Sequence, residues 1–411
     1  MESDTLDDNS AGPETLNGVA IWLLRSGWRY TNYRLLFEEL ARRLVASGVP
    51  LWRMGAYIPT IDPEVFGDAF VWKRSEGRAR YLKTGHTLLN DEDFKNSPLH
   101  EVARSERALR RRLEGPQAQI DYPLMRELRA QGATDYFALP LPFIDGTPVQ
   151  ITFATDRAGG FSEDDIGALS DLALVLARVA EGFAIRIRVE RLLNTYLGRD
   201  AGKRVLAGQI LRGSGETIEA AILFTDLRGF TALSERLAPA AVLALLNAYF
   251  DLVGKAVKAE QGEILKFIGD GVMAVFPVAG ERPMAAAVES ALSAASQIGD
   301  AFDAWNSARR ESGEEAIGFG IALHAGQVMY GNVGASDRLD FTVIGPVVNA
   351  VSRLQTLCRE LSQTVVLSQE IARHAPARCR SLGLHSMRGI ALKLEVFAPV
   401  DEVRSPPNRA Q

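Results

Sequence analysis

Two aspartates in the C-terminal half of the chain stand where a metal ion could be bound. Residues 220–225 (AAILFT) form a short apolar, β-prone run, which predicts a buried strand that ends at Asp226. Residues 263–268 and 272–276 predict two further strands, joined by Gly-Asp-Gly with Asp270 at the hairpin tip. If these strands share a sheet, the two carboxylates converge and favour Mg²⁺ or Mn²⁺, bound largely through substrate phosphates. Taken alone, each aspartate is more simply a turn residue.

A third segment, residues 340–354 (DFTVIGPVVNAVSRL), is predicted to pass from a strand through a turn into a helix. Gly345-Pro346 marks the turn, since proline is tolerated and preorganised in a first helical turn. Asn349 and Arg353 are four residues apart and would project from one helix face. An amide and a guanidinium held together can bind a ribose oxygen and a phosphate and stabilise charge developing in phosphoryl transfer. For these two residues alone, an exposed polar helix face is the simpler interpretation.

The elements before this region predict a separate, strand-rich domain. Apolar residues at 36, 37, 40, 41 and 44 mark one face of a helix that Gly48 and Pro50 end, and residues 51–58 then predict a strand. Residues 137–144 and 149–154 flank Asp145-Gly146, a hairpin signal. A strand-rich core behind a leading helix is the usual plan of small sensor domains, and this one looks like a GAF- or PAS-type sensor.

Five arginines between positions 104 and 112 form a basic run in this domain. Such a run could bind an anion, but a solvated helix face paired with neighbouring glutamates is the simpler interpretation. His86 and His100 have no partner at metal-ligand spacing, so they are predicted to be surface or packed histidines.

A heptad-like pattern follows the strand-rich domain. Ser162 and Asp165 resemble a helix-start box. Apolar residues then recur at alternating spacings of three and four: Ile166, Leu169, Ala173, Leu176, Ala180, Phe183 and Ile187. This register is typical of two parallel helices packed along a seam, and the length and position favour a dimeric connector. A single amphipathic helix packed on its own domain remains the alternative.

Composition and charge exclude several classes of protein. With 411 residues, 47% hydrophobic and 24% charged, the chain has the composition of a globular protein of two or three domains. The net charge of −5 argues against a polybasic nucleic-acid or membrane-surface protein, and five acidic residues within the first sixteen account for it. The two cysteines form no CxxC pair, so neither a disulfide framework nor a zinc site is indicated. We expect no signal peptide, no membrane span and a cytoplasmic location.

Three segments together resemble the catalytic domain of class III nucleotidyl cyclases. They are FTDLRGFT, KFIGDGVMAVF and GIALHAGQVMYGNVGASDRLDFTVIGPVVNAVSRL. The resemblance covers residues 216–399, with the motifs in family order, and the closing LHSMRGIALKLEVF is similar to the family's last strand region. The chain departs from the family at Pro346, where relatives often carry Asp or Asn, and at Phe341, where Tyr is frequent. Neither departure removes a metal ligand or a transition-state group.

The resemblance implies a ferredoxin-like α/β (α+β) domain that works only as a homodimer, with active sites shared at the interface. It implies that Asp226 and Asp270 bind two Mg²⁺ or Mn²⁺ ions per site, with the backbone carbonyl of Leu227 as a further ligand. It also implies that Asn349 positions the ribose and that Arg353 stabilises the transition state. By family analogy, these two residues face the aspartates of the partner chain.

The resemblance also bears on the choice of nucleotide. Lys266 matches the purine-specifying position, and because lysine only donates, it suits the ring nitrogen acceptor of adenine. Thr342 matches the second specifying position, and its hydroxyl can accept from adenine's amino group. ATP is therefore favoured over GTP. Gly229 and Phe230 are further predicted substrate contacts. Threonine at position 342 resembles a subgroup that includes bicarbonate-responsive members, so bicarbonate or another small molecule is a candidate regulator.

We therefore expect a disordered acidic tail (1–16), a sensor-like α/β domain (17–161), a helical coiled-coil connector (162–200) and a cyclase catalytic domain (216–399). The expected activity is conversion of ATP to 3′,5′-cyclic AMP and pyrophosphate, regulated by the N-terminal domain. One alternative is a guanylyl cyclase. Another is a catalytically silent nucleotide-binding module, although such modules usually lose an aspartate or the Asn/Arg pair. The N-terminal domain could also serve only as a dimerisation scaffold.

Overall fold

The computed structural model describes residues 15–30, 32–63, 65–87, 91–278, 280, 282–386 and 393–401. The chain divides into two compact units, Met1–Leu192 and Leu193–Gln411. The predicted disordered tail lies outside the described residues apart from its last two positions. These belong to the first helix, because Thr15 accepts a hydrogen bond from Gly18 N and Leu16 begins the helix.

The first unit is built on a six-stranded antiparallel sheet. Its strands are β1 (Arg53–Pro59), β2 (Val65–Lys73), β3 (Ala79–Gly85), β4 (Leu109–Arg112), β5 (Asp135–Pro142) and β6 (Pro148–Thr155). They lie in the order β3-β2-β1-β6-β5-β4. The hairpin predicted at Asp145-Gly146 is present, since Leu141 pairs with Val149 and Gly146 adopts a φ of +73°, which suits glycine. The first predicted strand begins two residues later than expected, at Arg53.

Among the described residues of this unit, six helices accompany the sheet. They are α1 (Leu16–Ser26), α2 (Tyr33–Ala46), α3 (Glu92–Lys95), α4 (Pro98–Ser105), α5 (Pro123–Ala130) and α6 (Glu163–Leu197). A short 3-10 turn, Gly27–Arg29, follows α1. The predicted helical face of α2 is confirmed, because Leu36, Leu40 and Leu44 are buried in the core of the unit. The helix ends just before Gly48, whose φ of +92° cannot continue it.

The apolar stripe of α6 is buried within the first unit. The helix starts at the predicted box, in which Ser162 Oγ accepts from Asp165 N and the Asp165 carboxylate accepts from Ser162 N. Leu169, Leu176 and Ala180 then join the core formed with α2 and the sheet. The stripe therefore packs on its own domain at these positions, which was the alternative to a dimer seam. Heptad spacing specifies an apolar face but not the surface that covers it.

The arginine run does not form one helix face. Arg104 lies in α4 and pairs with Glu101, as predicted. Arg110 and Arg111 lie in β4, where Arg110 forms an ion pair with the buried Asp135 at 2.8 Å. The prediction of a solvated helix was therefore wrong for this part of the run, because the pairing of β4 with β5 decides its conformation.

The second unit contains a larger sheet. Its strands are β7 (Gly215–Leu227), β8 (Glu263–Ile268), β9 (Gly271–Pro277), β10 (Phe319–Gly334), β11 (Leu339–Ile344), β12 (Val365–Ser368), β13 (Cys379–His385) and β14 (Leu394–Pro399). The order is β13-β14-β12-β10-β7-β9-β8, and β11 pairs with the far end of β10. Its helices are α7 (Arg199–Leu206), α8 (Phe230–Arg236), α9 (Pro239–Ala259), α10 (Met284–Glu311), α11 (Pro346–Glu360) and α12 (Gln369–His374). A 3-10 turn, Pro376–Arg378, precedes β13.

The centre of this unit has the predicted ferredoxin-like topology. In chain order β7, α9, β8, β9, α10 and β10 form a βαββαβ unit, and the strand order β10-β7-β9-β8 is that of the split βαβ arrangement. Alternate residues of β7 face two different cores. Ala221 and Leu223 pack with α9 and α10, whereas Ala220 and Ile222 pack with α11. The sheet is thereby covered by helices on both faces.

Helix α9 is more apolar than the sequence interpretation allowed. Among the described helices, it has the length and composition that a membrane span needs, with a mean hydropathy of 1.5 over its most apolar window. This alone does not contradict the expectation of no membrane span, because a core helix can have the same length and composition. One face of the helix, which includes Leu245, Tyr249 and Val253, is buried in the core of the second unit. The helix connects two strands of one sheet, which is the setting of a core helix.

Candidate active site

Asp226 and Asp270 lie together at one end of the second sheet. Asp226 is near the end of β7, and Thr225 pairs with Val272 at the start of β9. Asp270 occupies the turn between β8 and β9. The Leu227 N–H donates a hydrogen bond to Asp270 Oδ2 at 3.1 Å. One backbone contact thus anchors the Asp270 carboxylate to the strand that carries Asp226.

The electrostatics of this pair favour a cation. Burial raises the pKa of Asp226 to about 6; hydrogen bonding to Gln355 lowers it and the nearby Asp270 carboxylate raises it. In the described part of the chain neither carboxylate forms an ion pair with a lysine or arginine, although Arg359 and Arg228 are near enough to lower the pKa of Asp226. Arg228 lies nearby, but its guanidinium donates to the carbonyls of Cys358 and Gln363. Two adjacent carboxylates without a basic partner repel each other unless a cation lies between them.

The donor set suits a hard divalent cation. Within the described residues, no group of three or more His, Cys, Asp or Glu side chains could form a closed metal cage. Two carboxylates with open positions fit Mg²⁺ or Mn²⁺, which retain water and take further ligands from substrate phosphates. Asp226 and Asp270 would hold such an ion.

The loop after β7 is shaped by Gly229 and Phe230. Gly229 precedes α8 with a φ of +69°, and a Cβ built on it meets no atom within 4 Å. Its left-handed conformation, rather than crowding, therefore favours glycine. The Phe230 ring packs against the core shared by α9 and α10. The ring thus holds the loop in place beside the two aspartates.

Asn349 and Arg353 lie on the outer side of α11. The opposite side of this helix is buried and includes Val347, Val351 and Leu354. Asn349 is exposed and Arg353 is partly exposed. The side chains of both residues make no hydrogen bond or ion pair with the described part of the chain. Within one chain, the structure therefore brings neither residue into contact with Asp226 or Asp270.

Asp340, a residue that sequence reasoning missed, connects the positions of Lys266 and Thr342. Lys266 Nζ on β8 forms an ion pair with Asp340 Oδ2 on β11 at 2.8 Å. Asp340 and Thr342 are two residues apart on the strand and face the same side. Thr342 is 4% exposed, and its hydroxyl has no hydrogen-bond partner among the described groups. The signal that could have revealed Asp340 is its charge, combined with its period-two spacing from Thr342.

Gln355 is the second residue that sequence reasoning missed. Its side-chain nitrogen Nε2 donates a hydrogen bond to Asp226 Oδ1 and another to the Gly320 carbonyl at 3.2 Å. Gln355 is buried on the inner side of α11, between Leu354 and Leu357. A polar residue within the apolar stripe of an amphipathic helix is the signal that could have identified it.

Comparison with known proteins finds similarity to nucleotidyl cyclases in the second half of the chain. Residues 214–395 match the family model described as the adenylate and guanylate cyclase catalytic domain. Adenylate cyclase 1 of Rhizobium meliloti is 34% identical over 191 residues, 46% of this chain and 28% of that protein. An adenylate cyclase of Anabaena cylindrica is 34% identical over 166 residues, 39% of this chain and 32% of that protein. The crystal structure of the adenylyl cyclase CyaB from P. aeruginosa is 27% identical, with a TM-score of 0.43, and covers 46% of this chain and 97% of that one.

Residues 214–395 are therefore similar to the catalytic domain of adenylate and guanylate cyclases. The matched region lies wholly within the second unit. The alignments span less than a third of the length of either named relative.

Proposed function

We propose that this protein is an adenylyl cyclase that converts ATP to 3′,5′-cyclic AMP and pyrophosphate. The observation that carries the proposal is the pair Asp226 and Asp270, which meet without a basic partner in a domain that matches the cyclase family model.

In the reaction, the ribose 3′-oxygen bonds to the α-phosphorus and loses its proton. The bond from the α-phosphorus to the bridging oxygen breaks, and pyrophosphate leaves. Two bound Mg²⁺ or Mn²⁺ ions would activate the 3′-hydroxyl and stabilise the leaving pyrophosphate. Asp226, Asp270 and the Leu227 carbonyl are proposed to hold them.

The proposed active site is completed by a second copy of the chain. Asn349 would position the ribose and Arg353 would stabilise charge at the phosphates, each opposite the aspartates of the partner. The outward, unpaired placement of these residues on α11 supports this arrangement.

Exposed apolar residues close to Asp270 also support a dimer. Leu243 on α9 is 61% exposed, and Phe267 and Ile268 on β8 are 51% and 48% exposed. The Phe267 ring packs on Phe250 with centroids 4.3 Å apart, so α9 and β8 contribute to a shared apolar surface. Apolar surfaces of this kind are typical of protein interfaces.

Mixing two inactive variants tests the shared site. Neither Asp226→Ala nor Asn349→Ala protein should turn over ATP alone. In an equal mixture, heterodimers keep one complete site, so about a quarter of wild-type activity should return after subunit exchange. No recovery, with exchange demonstrated by differently tagged chains, would argue against sites shared between chains.

The choice of ATP rests on Lys266 and Thr342. One Lys266 hydrogen is used in the ion pair with Asp340, and the ammonium keeps two donors for adenine's ring nitrogen. The unpartnered Thr342 hydroxyl is an acceptor for adenine's amino group. GTP is the second candidate substrate, favoured by one observation. The Asp340 carboxylate at the same place could accept from guanine's N–H groups.

The first unit is proposed to be a GAF- or PAS-type sensor that regulates the catalytic dimer through α6. In this proposal the chain comprises a tail (1–16), a sensor domain (17–161), a connector (162–200) and a catalytic domain (216–399). The compactness of the first unit supports a separate regulatory role. Comparing the full chain with residues 200–411 would separate regulation from scaffolding. Cyclase assays with and without bicarbonate at fixed pH would test bicarbonate as the regulator.

A cytoplasmic location is proposed, where both free thiols, Cys358 and Cys379, stay reduced.

The decisive experiment is a product assay on the purified full chain. ATP and GTP are each incubated with Mg²⁺ or Mn²⁺, and cyclic AMP and cyclic GMP are quantified by mass spectrometry. We expect cyclic AMP from ATP, abolished by EDTA and restored by excess metal. Cyclic GMP as the main product would favour the second candidate. No cyclic nucleotide under any condition would identify a silent nucleotide-binding module.

A further inference from the structure

We propose that Gln355 is a positioning residue for Asp226, and that α11 therefore serves both active sites of the dimer at once. In this arrangement Gln355 acts on the aspartate of its own chain, whereas Asn349 and Arg353 act on the substrate bound to the partner's aspartates. This inference rests on the proposed function, because it requires shared sites.

The amide of Gln355 has one favourable orientation. Nε2 faces two acceptors, Asp226 Oδ1 and the Gly320 carbonyl, whereas Oε1 is buried without a partner. Rotating the amide by half a turn would place its oxygen against both acceptor oxygens. Two donors directed at two acceptors therefore fix the side chain, despite the cost of the unpaired Oε1.

The space around the amide is also fixed. Gly320 lies opposite Asp226 in the pairing of β10 with β7. A Cβ at position 320 would approach Gln355 Nε2 to 2.9 Å and Cys358 Cβ to 3.2 Å. Only glycine leaves this gap, so strand β10 provides the slot in which the Gln355 amide lies.

A neutral donor suits this position chemically. The amide orients one oxygen of Asp226 and leaves the negative charge and the second oxygen available to a cation. An arginine or lysine would neutralise the carboxylate, and a glutamate would repel it. Glutamine therefore positions a metal ligand without competing with the metal.

The geometry of the helix places the two functions on opposite sides. Gln355 follows Arg353 by two residues, which corresponds to about 200° around an α-helix. Gln355 is buried against its own sheet, and Arg353 is directed outwards. Because a helix moves as a rigid element, a shift of α11 changes the Asp226 contact in one site and the Arg353 contact in the other. The two sites are thereby mechanically linked.

A binding measurement tests the positioning role without turnover. Free Mn²⁺ is monitored by electron paramagnetic resonance with the full chain and 3′-deoxy-ATP, which cannot react. Gln355→Leu should raise the Mn²⁺ dissociation constant about 10-fold, because it removes a hydrogen bond to a charged ligand. Gln297→Leu is the matched control: Gln297 also donates to a carboxylate, Glu260 Oε1 at 2.6 Å, but lies on α10. An unchanged constant in a folded Gln355→Leu protein overturns the inference.

Placement of the substitution in heterodimers tests the division of roles. In the mixture of Asp226→Ala and Asn349→Ala chains, the working site takes its aspartates from the Asn349→Ala chain. Gln355→Leu on that chain should reduce the restored activity about 10-fold. The same substitution on the Asp226→Ala chain should leave at least half of it. Equal loss from both placements would indicate a general structural role and overturn the inference.

The outcomes separate this inference from the proposed function. Failure of the wild-type protein to form any cyclic nucleotide contradicts the proposed function, while the Mn²⁺ measurement still decides the role of Gln355. Wild-type activity together with a parent mixture that shows no recovery overturns the claim that α11 serves two sites.

Discussion

The two units treat their buried and half-buried carboxylates in opposite ways. In the first unit, the fully buried Asp135 is paired with Arg110, and the nearly buried Asp68 is paired with Arg191 on α6, both at 2.8 Å. In the second unit, Asp226 and Asp270 lie side by side, and the only side-chain donor described for Asp226 is the Gln355 amide. The first unit uses its carboxylates to hold elements together. The second leaves two neighbouring carboxylates whose negative charge a bound cation would neutralise.

This difference distinguishes structural from functional acids by physical criteria. A buried ion pair is costly to break, since removing one partner leaves an uncompensated charge. A desolvated carboxylate that lacks such a partner costs folding free energy, which makes it a candidate ligand for a cation. The same substitution should therefore have opposite consequences in the two units.

The largest expected effect is the loss of turnover in Asp226→Ala. Removing a ligand of the proposed metals should lower cyclic AMP formation by about 10²- to 10³-fold, because metal stabilisation of phosphoryl transfer is worth several kcal/mol. The free energy of unfolding of the second unit should not fall, since a desolvated charge is removed. Activity assays and chemical denaturation measure the two quantities, with the exposed Asp251→Ala as the control. Substantial remaining turnover would contradict the metal assignment.

For Asp135→Ala, by contrast, we expect a loss of stability. This change leaves the Arg110 guanidinium without its buried partner and should destabilise the first unit by about 3 kcal/mol. The matched control is Glu163→Ala, which removes the other carboxylate of Arg110; that carboxylate is 82% exposed and should contribute less than about 1 kcal/mol. Calorimetry of the full chain would follow the transition of the first unit. An equal loss of unfolding free energy in the two variants would contradict the claim that the buried ion pair stabilises the unit more than the exposed one.

The ion pair between Lys266 and Asp340 in the proposed active site should have an intermediate effect on turnover. Lys266→Ala removes the proposed donor to adenine and should lower kcat/KM for ATP about 10-fold. Asp340→Asn keeps the shape but weakens the acceptor, so the ratio of ATP to GTP turnover should rise. Steady-state kinetics with both nucleotides would test this. A ratio that moves toward GTP in Asp340→Asn would mean that Asp340 helps to select adenine.

The smallest effect is expected at the hairpin of the first unit. Asp145 is 42% exposed, pairs with the largely buried Arg188 and accepts from Thr147 N at 2.9 Å. Asp145→Asn keeps the turn contact and loses only the charge on the exposed side of this pair, so the free energy of unfolding should fall by no more than about 1 kcal/mol. Asp145→Ala removes both and should cost more. A large loss in Asp145→Asn would show that surface pairs carry more of this unit's stability than expected.

Local patterns in the sequence predicted several elements well. The apolar spacing around Leu40 predicted α2, the helix-start box at Ser162 predicted the start of α6, and Asp145-Gly146 predicted a hairpin. These features depend on neighbouring residues, so periodicity and turn chemistry are sufficient to identify them. The meeting of Asp226 and Asp270 was also predictable, because each lies at the end of a recognisable strand.

Contacts between distant segments escaped prediction. Gln355 reaches Asp226 across 129 positions, and Lys266 reaches Asp340 across 74. Neither contact leaves a local signature. The arginines of β4 were assigned to a helix because only pairing with β5 makes them a strand.

The sequence by itself determined which residues could perform chemistry, since two candidate metal-binding carboxylates, a turn proline and an amide–guanidinium pair are encoded by type and spacing. Tertiary structure decided what surrounds them. It buried the α6 stripe in its own domain, paired Lys266 with Asp340, and left Asp226 with an amide instead of an arginine. The physical reason is that charge compensation and burial depend on which distant side chains fold into contact, and residue spacing along the chain does not specify those partners.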